Sequence, residues 1–577
     1  MERLKKWDKK SKYFFILTFL YFLRLLFLET DPKYAWLSQQ WVVDEIAYHE
    51  TAIRTVNEGI SALLSGNLVT TSLANTKTLL LPNLLAAVSM SLFGNNFWGL
   101  RFTYVLSGYV IGILLWKCLD IVIPDHPKVQ LLTILAYILD FHFFLQSRSA
   151  MTIVPCTLAA IFLLFSLLNF TGKTRWFWTG FASVISFCIV YMGVPFLVLW
   201  AGFVWLTEMI FDKDRRKGGS FYWLGLLTGT AVSEFLNLLI YRQHIWDTIA
   251  DALCAHGGKI QTSEFSLKIL FSHFKSFFCS YQFIYNYLLL VMSIIAIGLL
   301  LYGIVRKKDE TAFLICSLIG IHWMQTVFLD QLTESKASIT FAVLLVGIAY
   351  AFTKYYEVFT KDGPLHNIFL IGSTIVIIGS MLLIYCNYRE GRALSDDLRH
   401  LLYICSIFTA CCLFLILITN RKKIFYLAFS VSMIFCITAS GYYTLFHRSY
   451  AESEMMKDIG ECTQNGIVIN GLCFSLYNEC HSPVNIYDHY RGRGYDFDYV
   501  RETIRQSVYE YDELYCVFSL TVGDEWNVPT INDTLLADTP YQFELIREYQ
   551  IDYTEYPYPE DVGLYNMGLY KKTERTD

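Results

Sequence analysis

The chain has 577 residues, of which 54% are hydrophobic, 17% aromatic and only 17% charged, against about 25% charged in an ordinary soluble domain. That balance excludes a soluble enzyme and a nucleic-acid-binding protein and points to a membrane protein. The net charge of −5 is unevenly spread: from His447 onward there are 24 Asp/Glu against 10 Lys/Arg, so the preceding part carries +9 and the two regions belong to different solvents.

In chain order, Lys5, Lys6, Lys9, Lys10 and Lys12 lead straight into an apolar run from Tyr13 to Glu29. No small-residue cleavage pattern follows, so a start-transfer anchor with cytoplasmic lysines is expected. Further runs long enough to cross about 30 Å of hydrocarbon as helices are Trp98 to Ile123, Val129 to Gln146, Met151 to Phe170, Phe177 to Met192, Pro195 to Phe211 and Phe221 to Tyr241. They continue at Tyr285 to Val305, Ala312 to Leu329, Ile339 to Tyr356, Ile368 to Asn387, Leu401 to Ile418 and Phe425 to Phe446, giving about 13 transmembrane helices. Leu79 to Phe93 is apolar but short and interrupted by Pro82 and Asn83. With it placed as an interfacial or re-entrant helix, the basic loops at Lys173/Arg175, Lys213 to Lys217, Arg306 to Lys308 and Arg421 to Lys423 share the side of the N-terminal lysines, as the positive-inside rule demands. If it spanned, every later loop would invert.

The expected organisation is therefore an α-helical membrane domain over residues 1–446, with outer loops 30–97 and 242–284, followed by a soluble extracytoplasmic α/β domain over residues 447–577. In that tail the β-rich runs Ile467 to Ile469, Val484 to Tyr487 and Leu514 to Leu520 flank a helical pattern from Tyr499 to Glu513. Fifteen cysteines are scattered without zinc-ligand spacing; a Cys473 to Cys480 bridge is one open reading of an oxidising outer compartment. No Walker or dinucleotide-binding glycine loop is present, which fits a donor delivered other than as a cytosolic nucleotide.

The first outer loop carries Val43-Asp44-Glu45-Ile46-Ala47-Tyr48 ahead of an amphipathic pattern through Ile53, Val56 and Ile60. Acids at a helix start have an electrostatic reason of their own, stabilisation by the helix dipole. Beside that stands a catalytic reading of the pair. Asp140 and His142, within the third span, are costly in a bilayer and read first as helix-to-helix hydrogen-bonding groups.

The Asp-Glu pair after the first span, the apolar piece ending Leu92-Phe93-Gly94-Asn95-Asn96, Arg101 opening the next helix, and Ser147-Arg148-Ser149-Ala150 with Pro155 occur in an order and sidedness that resembles the GT-C membrane glycosyltransferases. The closest likeness is to bacterial relatives of the protein O-mannosyltransferases and lipid A aminoarabinose transferases, over roughly residues 1–356. The resemblance implies a GT-C fold and an inverting transfer of a sugar from a polyprenyl-phosphate-linked donor to an extracytoplasmic acceptor. It also implies Asp44 as catalytic base, with Glu45 as helper or helix-start acid. A sugar on polyprenyl phosphate already has a good leaving group, so the site needs a base for the acceptor hydroxyl and cations for the departing phosphate. Lys77, Arg148 and Lys336 are the cations expected near that interface, each with a second reading as a snorkelling side chain. His256 and Glu264 are candidates for an acceptor groove, and a solvated loop explains them as well.

One departure is plain: Met151-Thr152-Ile153-Val154-Pro155 lacks the second acid that many relatives have there. No metal or other cofactor is therefore expected. Two other classes stand beside the transferase: a lipid or solute transporter or flippase, and an inactive GT-C relative acting as a scaffold.

Overall fold

The computed structural model describes residues 13–30, 45–46, 49–59, 80–189, 195–211, 218–241, 286–328, 338–359, 364–389, 395–419, 422–446, 448, 450–464, 466–469, 497–519, 528–550 and 566–575, with residues 244 and 246 singly. It is a bundle of apolar helices followed by a small mixed sheet. Elements before the bundle's midpoint are α1 (Tyr13–Leu25), α2 (Glu50–Glu58), α3 (Leu80–Phe93), α4 (Phe97–Val122), α5 (Pro127–Leu139), α6 (Phe141–Gln146), α7 (Ile153–Asn169), α8 (Gly172–Ile189), α9 (Pro195–Phe211) and α10 (Ser220–Tyr241). Then come α11 (Tyr287–Lys307), α12 (Glu310–Phe328), α13 (Phe341–Lys354), α14 (Pro364–Arg389), α15 (Asp396–Thr419), α16 (Lys422–Gly441) and α17 (Ala451–Cys462).

Among the described residues, α4, α11, α14, α15 and α16 contain windows long and apolar enough to cross a bilayer on their own. Shorter apolar helices accompany them, and the thirteen expected spans each have a helical counterpart, so the chain is a polytopic membrane protein. The long helices expose apolar side chains outward, such as Leu106, Leu301, Ile375 and Ile404, as lipid-facing surfaces do. The piece that was ambiguous in sequence, α3, is a 14-residue helix packed on α2 and α4.

The third span departs from the expected continuous helix. It breaks at Asp140, whose ψ of 123° leaves the helical region, and α6 begins directly after it. The carboxylate of Asp140 accepts the Phe143 amide at 2.9 Å and faces the Asn286 side chain at the start of α11. A short polar side chain thus replaces the backbone bonds that the break removes. His142 bonds Gln146 within α6, and Gln146 donates to Ser338 Oγ at 3.2 Å, so it is Gln146 that ties this span to the turn entering α13.

Helices α8 and α10 pack backbone to backbone at Gly180 and Gly225. A Cβ built on Gly225 would sit 2.1 Å from the Phe177 carbonyl oxygen, and one on Gly180 2.2 Å from that of Tyr222. Small residues permit this approach where lipid supplies no hydrophobic drive. Gly225→Leu is therefore expected to lower the melting temperature of the detergent-solubilised protein, at an overpacking cost of about 1–3 kcal/mol. Gly320→Leu, where a Cβ meets nothing within 4 Å, is the control expected to leave it unchanged.

After α17 come β1 (Ile467–Ile469), α18 (Phe497–Glu510), β2 (Leu514–Ser519), β3 (Tyr541–Gln550) and β4 (Asn566–Glu574), in the sheet order β1-β2-β4-β3. β1 and β2 run parallel and the other pairs antiparallel, with a register shift between Leu545 and Arg547. Alternation along β2 sorts the two faces. Leu514, Cys516 and Phe518 pack with Ile504 and Val508 of α18. Tyr515 and Val517 join Met455, Met456 and Ile459 of α17, in the same apolar cluster as the membrane helices. The helix of residues 497–510 and the strands at 467–469 and 514–519 match the sequence expectation; Val484 to Tyr487, Cys473 and Cys480 lie outside the described residues.

Asp458 of α17 accepts from Arg547 and, at 2.6 Å, from Tyr549 Oη, fastening this helix to β3. Burial raises the Asp458 pKa, but the Arg547 and Tyr549 hydrogen bonds and the guanidinium charge outweigh it and hold the carboxyl below the ordinary carboxylate range. A depressed carboxylate contributes stability that is present above its unfolded pKa, about 3.9, and is lost as pH falls through the folded value. Asp458→Asn is accordingly expected to melt below the wild type at pH 7, with the difference closing below about pH 4; thermal scans at the two pH values read this directly.

Candidate active site

The site is built where the first span ends. α1 finishes in a 3-10 turn at Leu23–Leu25, and Phe27 takes a positive φ of 53°, so regular helical bonding ends here: the Phe27 carbonyl takes the Thr30 N–H at 3.1 Å and Oγ1 at 2.8 Å, and those of Arg24, Leu26, Leu28 and Thr30 are bonded from outside the helix. Unsatisfied backbone at a membrane boundary is costly, and two arginines supply the missing donors. Arg148 donates from Nη1 to the carbonyl oxygens of Arg24 and Leu26 at 2.5 and 2.7 Å, and from Nη2 to that of Phe27 at 2.7 Å. Arg101 donates from Nη1 to the carbonyls of Leu28 and Thr30 at 2.9 and 2.8 Å.

Glu45 locks this arrangement. Its carboxylate is wholly buried and takes a forked pair of bonds from Arg101, Nη2 at 2.7 Å and Nε at 3.0 Å. Its Oε1 also accepts the backbone N–H of Ala150 at 2.5 Å. Glu45 of the Asp-Glu pair, the arginine opening α4 and the Ser147-Arg148-Ser149-Ala150 element, far apart in sequence, thus meet on one carboxylate. Ser147 is fixed in turn by Arg24, whose Nε donates to its Oγ at 2.8 Å while Nη2 reaches the Ile138 carbonyl at 2.7 Å.

The start of α2 is pinned by His49. Nδ1 of this ring donates to the Glu45 carbonyl at 2.6 Å, and Nε2 accepts from Tyr104 Oη at 2.5 Å. Burial pushes the His49 pKa down to about 4, against a smaller upward effect of its bond to the Glu45 carbonyl, so the ring is neutral at pH 7. The Arg148 pKa falls to about 9, through burial first and then the charges of Arg101 and Arg24, which still leaves it cationic at pH 7. The arginines Arg24, Arg101 and Arg148 are all buried here, and Arg101 is the one paired with the Glu45 carboxylate.

Of the residues expected from sequence, the structure brings Glu45 and Arg148 together. Glu45 is held as a strut, with its oxygens committed to Arg101 and Ala150. Three N–H bonds of Arg148 are spent on backbone carbonyls, which makes it a brace and a fixed positive charge rather than a free phosphate ligand. Asp44, Lys77, His256, Glu264 and Lys336 lie outside the described residues. Among the described residues no three His, Cys, Asp or Glu side chains converge as metal ligands. Arg24, His49 and Tyr104 were not singled out from sequence. Arg24, a charge inside the first apolar run, carried a usable signal, because such a residue must find partners inside the bundle; His49 and Tyr104 carried none.

No protein-family model matches the chain, and no curated sequence matches it. Solved structures do. The crystal structure of ArnT from Cupriavidus metallidurans bound to undecaprenyl phosphate superposes with a TM-score of 0.61 at 11% identity, covering 98% of this chain and 98% of that one. The apo state of the same protein gives 0.55, with the same identity and coverage. At this identity the likeness establishes the fold.

Proposed function

We propose that this chain, which has the GT-C fold from end to end, is a membrane glycosyltransferase that moves a sugar from a polyprenyl-phosphate-linked donor to an acceptor outside the cytoplasm. The observation that carries the reading is the convergence on Glu45: three of the four sequence elements behind the GT-C resemblance are bonded to one another through the carboxylate of this residue. That the ArnT structure holds undecaprenyl phosphate is consistent with the donor class. The N-terminus is proposed to lie in the cytoplasm, with loops 30–97 and 242–284 and the domain of residues 447–577 on the other side.

In the reaction Asp44 removes the proton of the acceptor hydroxyl as its oxygen attacks the anomeric carbon from the face opposite the phosphate. The bond from carbon to phosphate oxygen breaks, its electron pair leaves with the polyprenyl phosphate, and configuration inverts. Lys77 and Lys336 are proposed to hold the departing phosphate, with Arg148 contributing positive potential from its braced position. His256 and Glu264 are proposed for the acceptor side. No metal enters this scheme, so a chelator is expected to leave the rate unchanged.

The test is to reconstitute the full chain in liposomes with a synthetic polyprenyl-phosphate sugar and a panel of protein, lipid and polymer acceptors. Free polyprenyl phosphate and a glycosylated acceptor of inverted configuration are expected. Binding of the donor without turnover would replace the enzyme by a scaffold, and the absence of both binding and turnover would remove the reading altogether.

A further inference from the structure

A cavity of about 420 Å³ lies between α5, α11 and α13 on one side and α14, α15 and α16 on the other. It runs from Asn286 toward the start of α14; the stretch from His366 to Ile377 alone is about 17 Å long at the helical rise. Most of its wall is aliphatic or aromatic, including Leu289, Met292, Ile348 and Phe429. One end differs. There Lys128 and His126, both exposed, and His366 line the opening, at the same end of the bundle as Arg306 and Lys423 and opposite Glu45, and no carboxylate lines the cavity.

Three polar atoms in this wall, His366 Nδ1, Thr353 Oγ1 and Ser373 Oγ, are buried and have no hydrogen-bond partner among the described residues. Ser373 is only 2% exposed. Buried polar atoms normally find partners, so His366 Nδ1 and Thr353 Oγ1 at the cationic mouth, with Ser373 about 10 Å further along α14, mark a place for a ligand that is polar at one end. We infer that this fissure binds an anionic phospholipid. The phosphate sits at Lys128, His126 and His366, and one acyl chain lies between the helices; a lysine flanked by imidazole donors above an apolar slot is the recognition such a lipid needs. The slot takes a single chain, and it opens at the leaflet away from the Glu45 site, so it is separate from the proposed donor site.

The experiment is native mass spectrometry of the delipidated full chain titrated with phosphatidylglycerol or phosphatidylcholine of the same acyl composition. One lipid per chain is expected, with phosphatidylglycerol about tenfold tighter. Lys128→Glu, a change at an exposed position, is expected to remove most of that preference, by about tenfold. Met292→Trp, which fills the slot, is expected to lose the bound lipid while the melting temperature of the lipid-free protein is retained. Equal affinity for the two lipids, indifference to Lys128→Glu, or displacement of phosphatidylglycerol by polyprenyl phosphate at equal concentration would each overturn the inference. Because the readout is binding, it succeeds or fails independently of sugar transfer.

Discussion

Asp44→Asn is expected to lower the rate of sugar transfer by about 10²- to 10⁴-fold, the range over which a positioned general base contributes. The amide keeps the shape of the side chain and its place before Glu45 but cannot accept the hydroxyl proton. Since the polyprenyl phosphate leaves readily without protonation, the loss falls on activation of the acceptor. The donor's binding constant therefore stays near the wild-type value while kcat drops, the pattern of an interaction made chiefly in the transition state. Asp44→Glu retains a base of similar strength, displaced by one methylene, and is expected to keep a measurable fraction of activity. Single-turnover transfer with saturating donor separates binding from chemistry, and undiminished turnover in Asp44→Asn would end its assignment as base.

Much of this was readable from residues alone, for reasons that differ by element. Spans announce themselves because a bilayer demands about 20 apolar residues in a row, and the basic loops order them. The interruption at Asp140 was invisible as a break, because an aspartate in an apolar run reads equally as a helix-to-helix bond; only its capping of the Phe143 amide distinguishes the two. Strands of the terminal sheet were legible where they alternate, as in Leu514–Ser519. The long β3 was not, since its exposed run of Glu544, Leu545 and Ile546 keeps no regular alternation. At the site, sequence located Glu45 and Arg148 without their duties. Those duties are set by the unwound end of α1, where Phe27 turns over and leaves carbonyls to be filled, and nothing in the local sequence marks a carbonyl as orphaned. Arg101 was noticed as a motif residue, yet its bond to Glu45 spans 56 positions and is a property of the packed bundle.

Breaking the Glu45–Arg101 pair gives the second large effect, this time on stability. The side chains are 0% and 2% exposed, with Nη2 to Oε2 at 2.7 Å, and removal of one partner from a buried pair costs about 3–5 kcal/mol because the other is left charged without compensation. Arg101→Met is expected to be the more damaging of the two single changes. It strands the Glu45 carboxylate and also the carbonyls of Leu28 and Thr30, both of which Arg101 serves. Glu45→Gln keeps an acceptor for the Ala150 amide and leaves those carbonyls bonded, so its loss of thermal stability is expected to be smaller. Removing both charges, as Glu45→Gln with Arg101→Met, is expected to recover part of the loss, because neither charge remains buried alone. If the pair acts on catalysis only by holding the chain next to Asp44, Glu45→Gln lowers kcat without altering donor affinity. Melting temperatures of the four-member cycle, read beside transfer rates, test both statements; single changes that simply add would show that the two side chains do not depend on each other.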